Sequence, residues 1–463
     1  MLASCIFQLS GMDIEVDRIR ALTDSAYGSN FDTPFIAPVV EAASGMHLLE
    51  LWHGPTSAFK DIALQCMPLF FSESAAGRKA SGDLEEDYLI LVATSGDTGK
   101  AALEGFAGRD HVKLAVFYPY AGVSDIQRKQ MATQEGDNIA VFAVEGDFDD
   151  CQNAVKAVFG DREFNQRLQQ EHRLRLSSAN SINWGRLPPQ IVYYASAYFR
   201  MVDTGAVGPG LPVDICVPTG NFGNILAAYY AKRLGVPIDR LICASNENRV
   251  LTDFLETGVY DISGRVVVKT PSPSMDILIP SNLERLLFET RRDPEKIRMW
   301  ISQLRDSGRF RVDPETREAI DAGFSGGSVT NDECLETIDR VYGSYGRLLD
   351  PHTAVAWAVA ERFRGDRPML VVSTAHWSKF GGDVYRALEG IPFSDPLPRD
   401  AAGLTAVELA FRIRETVRDE EIPAWLAGLD SRRERFQIVI DGSAESVRRA
   451  IRTWLEGGDD ARS

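Results

Sequence analysis

Six short runs of aliphatic, β-branched and aromatic residues recur along the chain, each ending near Gly, Asn, Ser or Thr and each followed by a stretch compatible with an amphipathic helix. They are YLILVAT from Tyr88, VKLAVFYP from Val112, NIAVFAVEG from Asn138, VDICVPT from Val213, RLICASN from Arg240 and PMLVVST from Pro368. Continuous apolar runs that alternate with helical patterns predict strand-turn-helix units in a mostly parallel sheet, hence an α/β fold. In open sheets of this kind ligands bind beyond the carboxyl ends of the strands. That rule singles out Ser95–Gly99, Gly220–Asn224 and Ala375–Phe380.

Two Gly/Pro breaks organise the chain. TGAVGPGL over Thr204–Leu211 predicts a crossing between two lobes, and PFSDPLPRD over Pro392–Asp400 closes the main body. A helix around Ala406–Val417, a strand FQIVID from Phe436 and a helix to Leu455 then predict a small appended α/β unit, with Gly457–Ser463 a frayed polar tail. The length of 463 residues agrees with two or three domains.

Composition narrows the chemistry. With 44% apolar and 25% charged residues the chain reads as globular. A formal charge of -16 disfavours nucleic acid and anionic membrane as partners, so an anionic substrate requires a local basic pocket. The six cysteines are scattered without a CxxC pair, which predicts reduced, mostly buried thiols and no metal site. The first residues lack the basic-then-apolar order of a signal peptide, and no apolar run is long enough to span a bilayer, so a cytoplasmic protein is expected.

Candidate chemistry lies in five segments. HGPTSAFKD (His53–Asp61) sets Lys60 behind a Gly-Pro turn, either as a solvated surface charge or as a partly desolvated amine able to form an imine. TGNFGN (Thr219–Asn224) leads from a strand into a helix, either as an ordinary tight turn or as a cradle of backbone N–H groups for phosphate. ATSGDTGKA (Ala93–Ala101) is a second loop of that kind, in which Ser95, Gly96 and Thr98 grip an anion and Asp97 caps the helix. NSINWGR (Asn180–Arg186) is rich in donors and ends in a guanidinium, or else caps a helix beginning near Leu187. TAHWSKF (Thr374–Phe380) offers a hydroxyl, an imidazole and an ammonium.

In this order the segments, with SANSIN from Ser178, QRKQM from Gln127 and EGDFDDCQ from Glu145, resemble the threonine synthases. These are fold type II pyridoxal-phosphate enzymes, and the likeness is to their longer-chain branch, as in fungi and enterobacteria. It extends over roughly residues 49–388. It implies a tryptophan synthase β-like architecture of two open, mostly parallel sheets with helices on both faces. A large cofactor domain over 1–87 and 207–396 and a smaller α/β domain over 88–206 are expected, with the appended unit over 397–463 beyond them. It also implies conversion of O-phospho-L-homoserine and water to L-threonine and phosphate, by γ-elimination and β-addition of water, in a monomer or homodimer.

Carried over residue by residue, the resemblance gives Lys60 the imine to pyridoxal 5'-phosphate. It gives Gly220, Asn221, Phe222, Gly223 and Asn224 the cofactor phosphate, and Thr374 the pyridine nitrogen, where a neutral hydroxyl suits elimination and replacement chemistry. Ser95, Gly96, Asp97 and Thr98 would meet the substrate carboxylate, and Asn183, Arg186 and Lys379 its phosphate. Three departures stand out. The chain reaches Lys60 sooner than that branch does, so either its start is mis-assigned or its N-terminal subdomain is reduced. Trp377 and Ser378 replace Pro-Ala, with Trp377 expected to narrow the site. The residues after Asp400 match nothing in the pattern and read as a packing or oligomerisation element. Two rival readings remain beside the synthase: a phospho-lyase that releases a 2-oxo acid, and a noncatalytic protein on the same scaffold that binds an amino acid or phosphate.

Overall fold

The structure is a computed structural model that describes residues 2–9, 14–417 and 421–457; most of the expected polar tail, 458–463, lies outside the described residues. The thirteen strands among the described residues are β1 (Val39–Ala43), β2 (Met46–Glu50), β3 (Asp87–Ala93), β4 (Val112–Pro119), β5 (Ile139–Val144), β6 (Leu174–Ser178), β7 (Val213–Pro218), β8 (Ile238–Ser245), β9 (Val259–Asp261), β10 (Arg309–Arg311), β11 (Phe324–Ser328), β12 (Met369–Ser373) and β13 (Val439–Ile440). All six expected strands are among them.

Two sheets carry the fold. The larger has the order β1-β2-β12-β7-β8-β11 and is parallel except for the hairpin β1-β2. The smaller, β13-β5-β4-β3-β6, is parallel throughout. Burial on both faces follows from the strand period of two. In the larger sheet Ile215, Val217, Leu370 and Val372 enter one core, while Cys216, Met369 and Val371 enter the opposite one. In the smaller, Leu89, Leu91 and Phe117 oppose Ile90, Val92 and Val116. Each such side chain contributes about 1.5–3 kcal/mol by leaving water.

The chain crosses between the lobes at the ligand-binding ends of the strands. The 21-residue helix Lys60–Ala80 sends Ile62, Cys66 and Phe70 into the larger lobe's core, and Leu64 and Met67 into the smaller lobe's core. The return lies at residues 179–187, earlier than the Gly/Pro break at Thr204–Leu211. Helix Pro188–Asp203 already belongs to the larger lobe, where Tyr194 and Met201 pack with Val213 and Ile215. The break therefore joins two elements of one lobe, and the chain leaves the smaller lobe well before the expected boundary at residue 206.

Residues after Asp400 form no unit of their own. Helix Ala406–Thr416 buries Val407, Ala410 and Ile413 in a core of the larger lobe. β13 then extends the smaller sheet beside β5, and helix Ala444–Leu455 buries Val447, Ile451 and Trp454 against helix Phe148–Gly160. Only Val439 and Ile440 of the expected FQIVID strand join the ladder. The N-terminal helices Leu2–Leu9 and Val16–Ala26 place Phe7, Ile19 and Leu22 in the larger core. Among the described residues no helix is long and apolar enough to cross a membrane.

Candidate active site

The loop before Lys60 is bent by its own residues and stitched to the last main strand. Asp61 accepts from Thr56 N at 2.8 Å and Thr56 Oγ1 at 2.6 Å, and a side chain at Gly54 would stand 2.5 Å from Asp61 Cβ. Burial pushes the Asp61 carboxyl up to about 6. Phe59 N donates to Thr374 O at 2.8 Å and His376 N to Ser57 O at 3.1 Å. The lysine loop and the TAHWSKF segment thus reach the cleft as one piece. Trp425, from the C-terminal stretch, donates to Ser57 Oγ at 2.8 Å and pins the loop from outside.

Lys60 opens its helix, is 8% exposed and points its ammonium at Asp97 Oδ2, 3.2 Å away. Burial lowers its affinity for a proton, Asp97 pulls the other way, and Lys379 and Arg186 add repulsion; the net shift is downward. Asp97 is the first residue of helix Asp97–Phe106 and not its cap, a position held by Gly96 at φ 128°. Burial disfavours the Asp97 charge, but Lys379 and Lys60 outweigh it and hold the carboxyl well below the ordinary range.

The glycine loop follows β7. Phe222, buried with φ 62°, turns the chain into helix Gly223–Arg233, whose first N–H groups have no intrahelical acceptor. A Cβ on Gly220 would stand 2.6 Å from Ser274 O, so only glycine permits this approach. Asn221 Oδ1 accepts from Ser281 N and Oγ, which fixes the loop from the side. Asn224 Oδ1 is taken by the hydroxyls of Tyr193 and Tyr194, at 2.5 and 2.6 Å, and its Nδ2 is left buried without a partner.

One cleft is lined by Lys60, Ser95, Asp97, Thr98, Arg186, Thr374 and the whole run Gly220–Asn224. Three sequence candidates stand behind it. Gly96 N–H is bonded to Thr94 Oγ1. The Asn183 amide donates to Ser178 O and accepts from Gly185 N, so it caps the turn Trp184–Arg186, whereas helix Pro188–Asp203, the one expected to be capped, has no side-chain cap. Lys379, the third candidate for the substrate phosphate, has its ammonium engaged by Asp97 at 2.7 Å and Thr56 O at 2.9 Å. Trp377 does not narrow the site, because it is buried in the core beside Phe380 and Val384. His376 is pushed by burial down to about 3 and caps the turn Trp377–Phe380 as a neutral ring.

Other lining residues escaped the sequence reading. His352 binds Asp350 through Nδ1 at 2.9 Å and leaves Nε2 buried without a partner. Ser274 also lines the cleft, as does Asn180 of the donor-rich segment already singled out. The one signal for His352 was Asp350-Pro351, an N-cap followed by proline at the first helical position. Ser274 gave none, since a long loop brings it over Gly220.

Buried groups without partners are rare in folded proteins and mark an expected ligand. Arg186 Nε, Asn224 Nδ2, Ser274 Oγ and His352 Nε2 are such groups, and all belong to this cleft. With a downshifted lysine and a glycine-lined helix start they form a donor set that fits a phosphorylated aldehyde. Among the described residues no cluster could hold a metal ion.

Comparison with known proteins agrees. The family "Pyridoxal-phosphate dependent enzyme" matches residues 33–375, and "Threonine synthase, C-terminal" matches 353–451. The second match gives the stretch after Asp400 a family counterpart, which the sequence reading had denied it. Human "Threonine synthase-like 1" is 44% identical over 384 residues, 81% of this chain and 51% of that protein, so the chain spans about half the length of this relative. Threonine synthase of Saccharomyces cerevisiae is 38% identical over 416 residues, 84% of this chain and 79% of that protein. Among solved structures, pyridoxal-phosphate-bound threonine synthase from Brucella melitensis superposes with a TM-score of 0.81 at 37% identity. The yeast enzyme does so with 0.82 at 34%; each alignment covers 98% of this chain and 88% of the other. The chain therefore belongs to the pyridoxal-phosphate-dependent enzymes, in the threonine synthase family, with pyridoxal phosphate as its cofactor.

Proposed function

We propose that the protein is a threonine synthase, converting O-phospho-L-homoserine and water to L-threonine and phosphate. The observation that carries this reading is the convergence on one cleft of a desolvated lysine, two anion loops at strand ends and a buried arginine with an unpartnered Nε. In this reading Lys60 attaches the cofactor, Gly220–Asn224 hold its phosphate and Thr374 meets its ring nitrogen. When bound, pyridoxal phosphate supplies a sink for the electron pair left at the substrate α-carbon.

The chain's own residues do the rest. Lys60, once released, has its amine inside the cleft and moves the α-proton. Ser95 and Thr98 offer hydroxyls and a helix start to the substrate carboxylate. Arg186 takes the substrate phosphate: its guanidinium is anchored on Ala179 O at 3.0 Å, and burial lowers its proton affinity to about 10, which leaves it charged at neutral pH. In a water-poor cleft that charge stabilises the departing phosphate far better than it would in solvent.

A phospho-lyase that releases a 2-oxo acid is the second reading, favoured by the higher identity to proteins named only as synthase-like. The two outcomes differ in whether water adds before the product leaves, a matter of ångström-scale placement. Incubating the full chain and pyridoxal phosphate with O-phosphohomoserine, then measuring phosphate, threonine and 2-oxobutyrate, decides between them. Threonine in step with phosphate is the expected result; phosphate with 2-oxobutyrate alone would overturn it.

A further inference from the structure

Lys379 reaches the cleft from behind. Its side chain, on the short turn after β12, is wholly shielded from solvent and meets Asp97 Oδ1 at 2.7 Å and Thr56 O at 2.9 Å. Gln127 Nε2 donates to the same Asp97 oxygen at 2.8 Å, and the other oxygen faces Lys60. One carboxylate from the smaller lobe thus serves two ammoniums from the other side of the cleft.

Had Asp97 only Lys60 as its counter-ion, loss of a proton from Lys60 would leave a buried, uncompensated carboxylate. Such an ion is costly, so the pair would lock Lys60 in its charged form. With Lys379 in constant contact, Asp97 is compensated whichever form Lys60 takes. We infer that Lys379 is a positioning residue for Lys60: it gives Asp97 a permanent counter-ion, so that Lys60 exists as the free amine inside the closed cleft. The direction of the Lys60 shift agrees. The charged groups that face Lys60 are Asp97 from helix Asp97–Phe106, Lys379, and Arg186 from turn Trp184–Arg186. His352 lines the same cleft, and Asp61 is turned away to Thr56.

This inference deepens the reading of Lys60 given above, yet it is tested without cofactor turnover, so the failure of either is distinguishable. In the full chain stripped of cofactor, the rate of Lys60 acetylation by acetic anhydride is followed against pH by mass spectrometry of its peptide. The wild-type midpoint is expected below the ordinary lysine value of about 10.4. Lys379→Gln is expected to raise it by about one pH unit or more, and Lys379→Arg to restore it. A wild-type midpoint at or above the ordinary value, or no rise in Lys379→Gln, would overturn the inference. If Lys379→Gln does not fold, the double variant Asp97→Asn/Lys379→Gln takes its place. With the attracting carboxylate gone its midpoint is expected at or below that of the wild type, and a higher one overturns the inference.

Discussion

Two carboxylates support the two anion loops, Asp276 behind the glycine loop and Asp97 at the start of the second, and their partners leave them at opposite ends of the carboxyl range. Asp276 accepts only from neutral donors: Asn246, Asn248 and Thr270, at 2.7 to 3.1 Å. Burial prevails over them and pushes it up to about 6. Asp97 is the more deeply buried, but two ammoniums face it and keep it ionised. Neutral hydrogen bonds favour the charged form of Asp276 but offset burial only in part, whereas the two cations at Asp97 overcome it. The glycine loop therefore offers backbone N–H groups over a carboxylate held by neutral donors, and the second loop works through charge.

The contrast is broken most severely at Lys60. Lys60→Ala should abolish the absorption band of the attached cofactor and lower turnover by about 10³-fold or more, checked by spectra after reconstitution and by product formation. Gly220→Ala comes next, since the new Cβ meets backbone atoms of Ser274 and Met275 at 2.6 and 3.1 Å, and backbone yields little. Overpacking of about 1–3 kcal/mol should weaken cofactor binding about tenfold or more in a titration, with Lys60 chemistry otherwise intact.

Gly96→Ala sharpens the comparison from the other loop. Its Cβ would meet the amide of Gln127, which Asp97 and Ser124 hold in place, at a φ of 128° that strains any L side chain. A stability loss of about 1–3 kcal/mol in denaturant unfolding should exceed the change in cofactor affinity. The smallest effect concerns pH. The Asp276 proton is held more tightly in the folded chain than in the unfolded one, so its contribution to stability falls as pH rises from about 4 through 6 and is constant above. Asp97 has the reverse sign: its contribution is present above the ordinary carboxyl value and is lost as pH falls toward its depressed one. Relative to wild type, the thermal midpoint of Asp276→Asn should climb by about 2–4 °C between pH 4 and 6. A flat difference would show Asp276 to be ordinary.

The strands most legible in the sequence were those buried on both faces, because continuous apolar runs such as Tyr88–Thr94 and Val213–Thr219 have few other uses. β6, with Arg175, Ser177 and Ser178, and β11, FSGGS, carry too little apolar character to be read. They are strands because β3 and β8 offer them a ladder. The same logic hid the true crossing. The Gly/Pro run at Thr204–Leu211 is a stronger local break than SANSINWGRL, but a break says that the chain turns and not between which cores. Packing of Tyr194 and Met201 with Val213 decides that.

Taken alone, the sequence determined which residue types follow each strand: a lysine behind Gly-Pro, two glycine-bearing loops and a hydroxyl-cation motif, each a short contiguous signal read by local rules. Tertiary structure alone decided which of them share one cleft and what their charges do there. Lys379 was legible as a cation and became the buried partner of Asp97; His352 was an unremarked imidazole and became a lining group with a free nitrogen. Charge states depend on burial and on partners hundreds of residues away in the chain, and neither quantity exists until the two lobes are packed against each other.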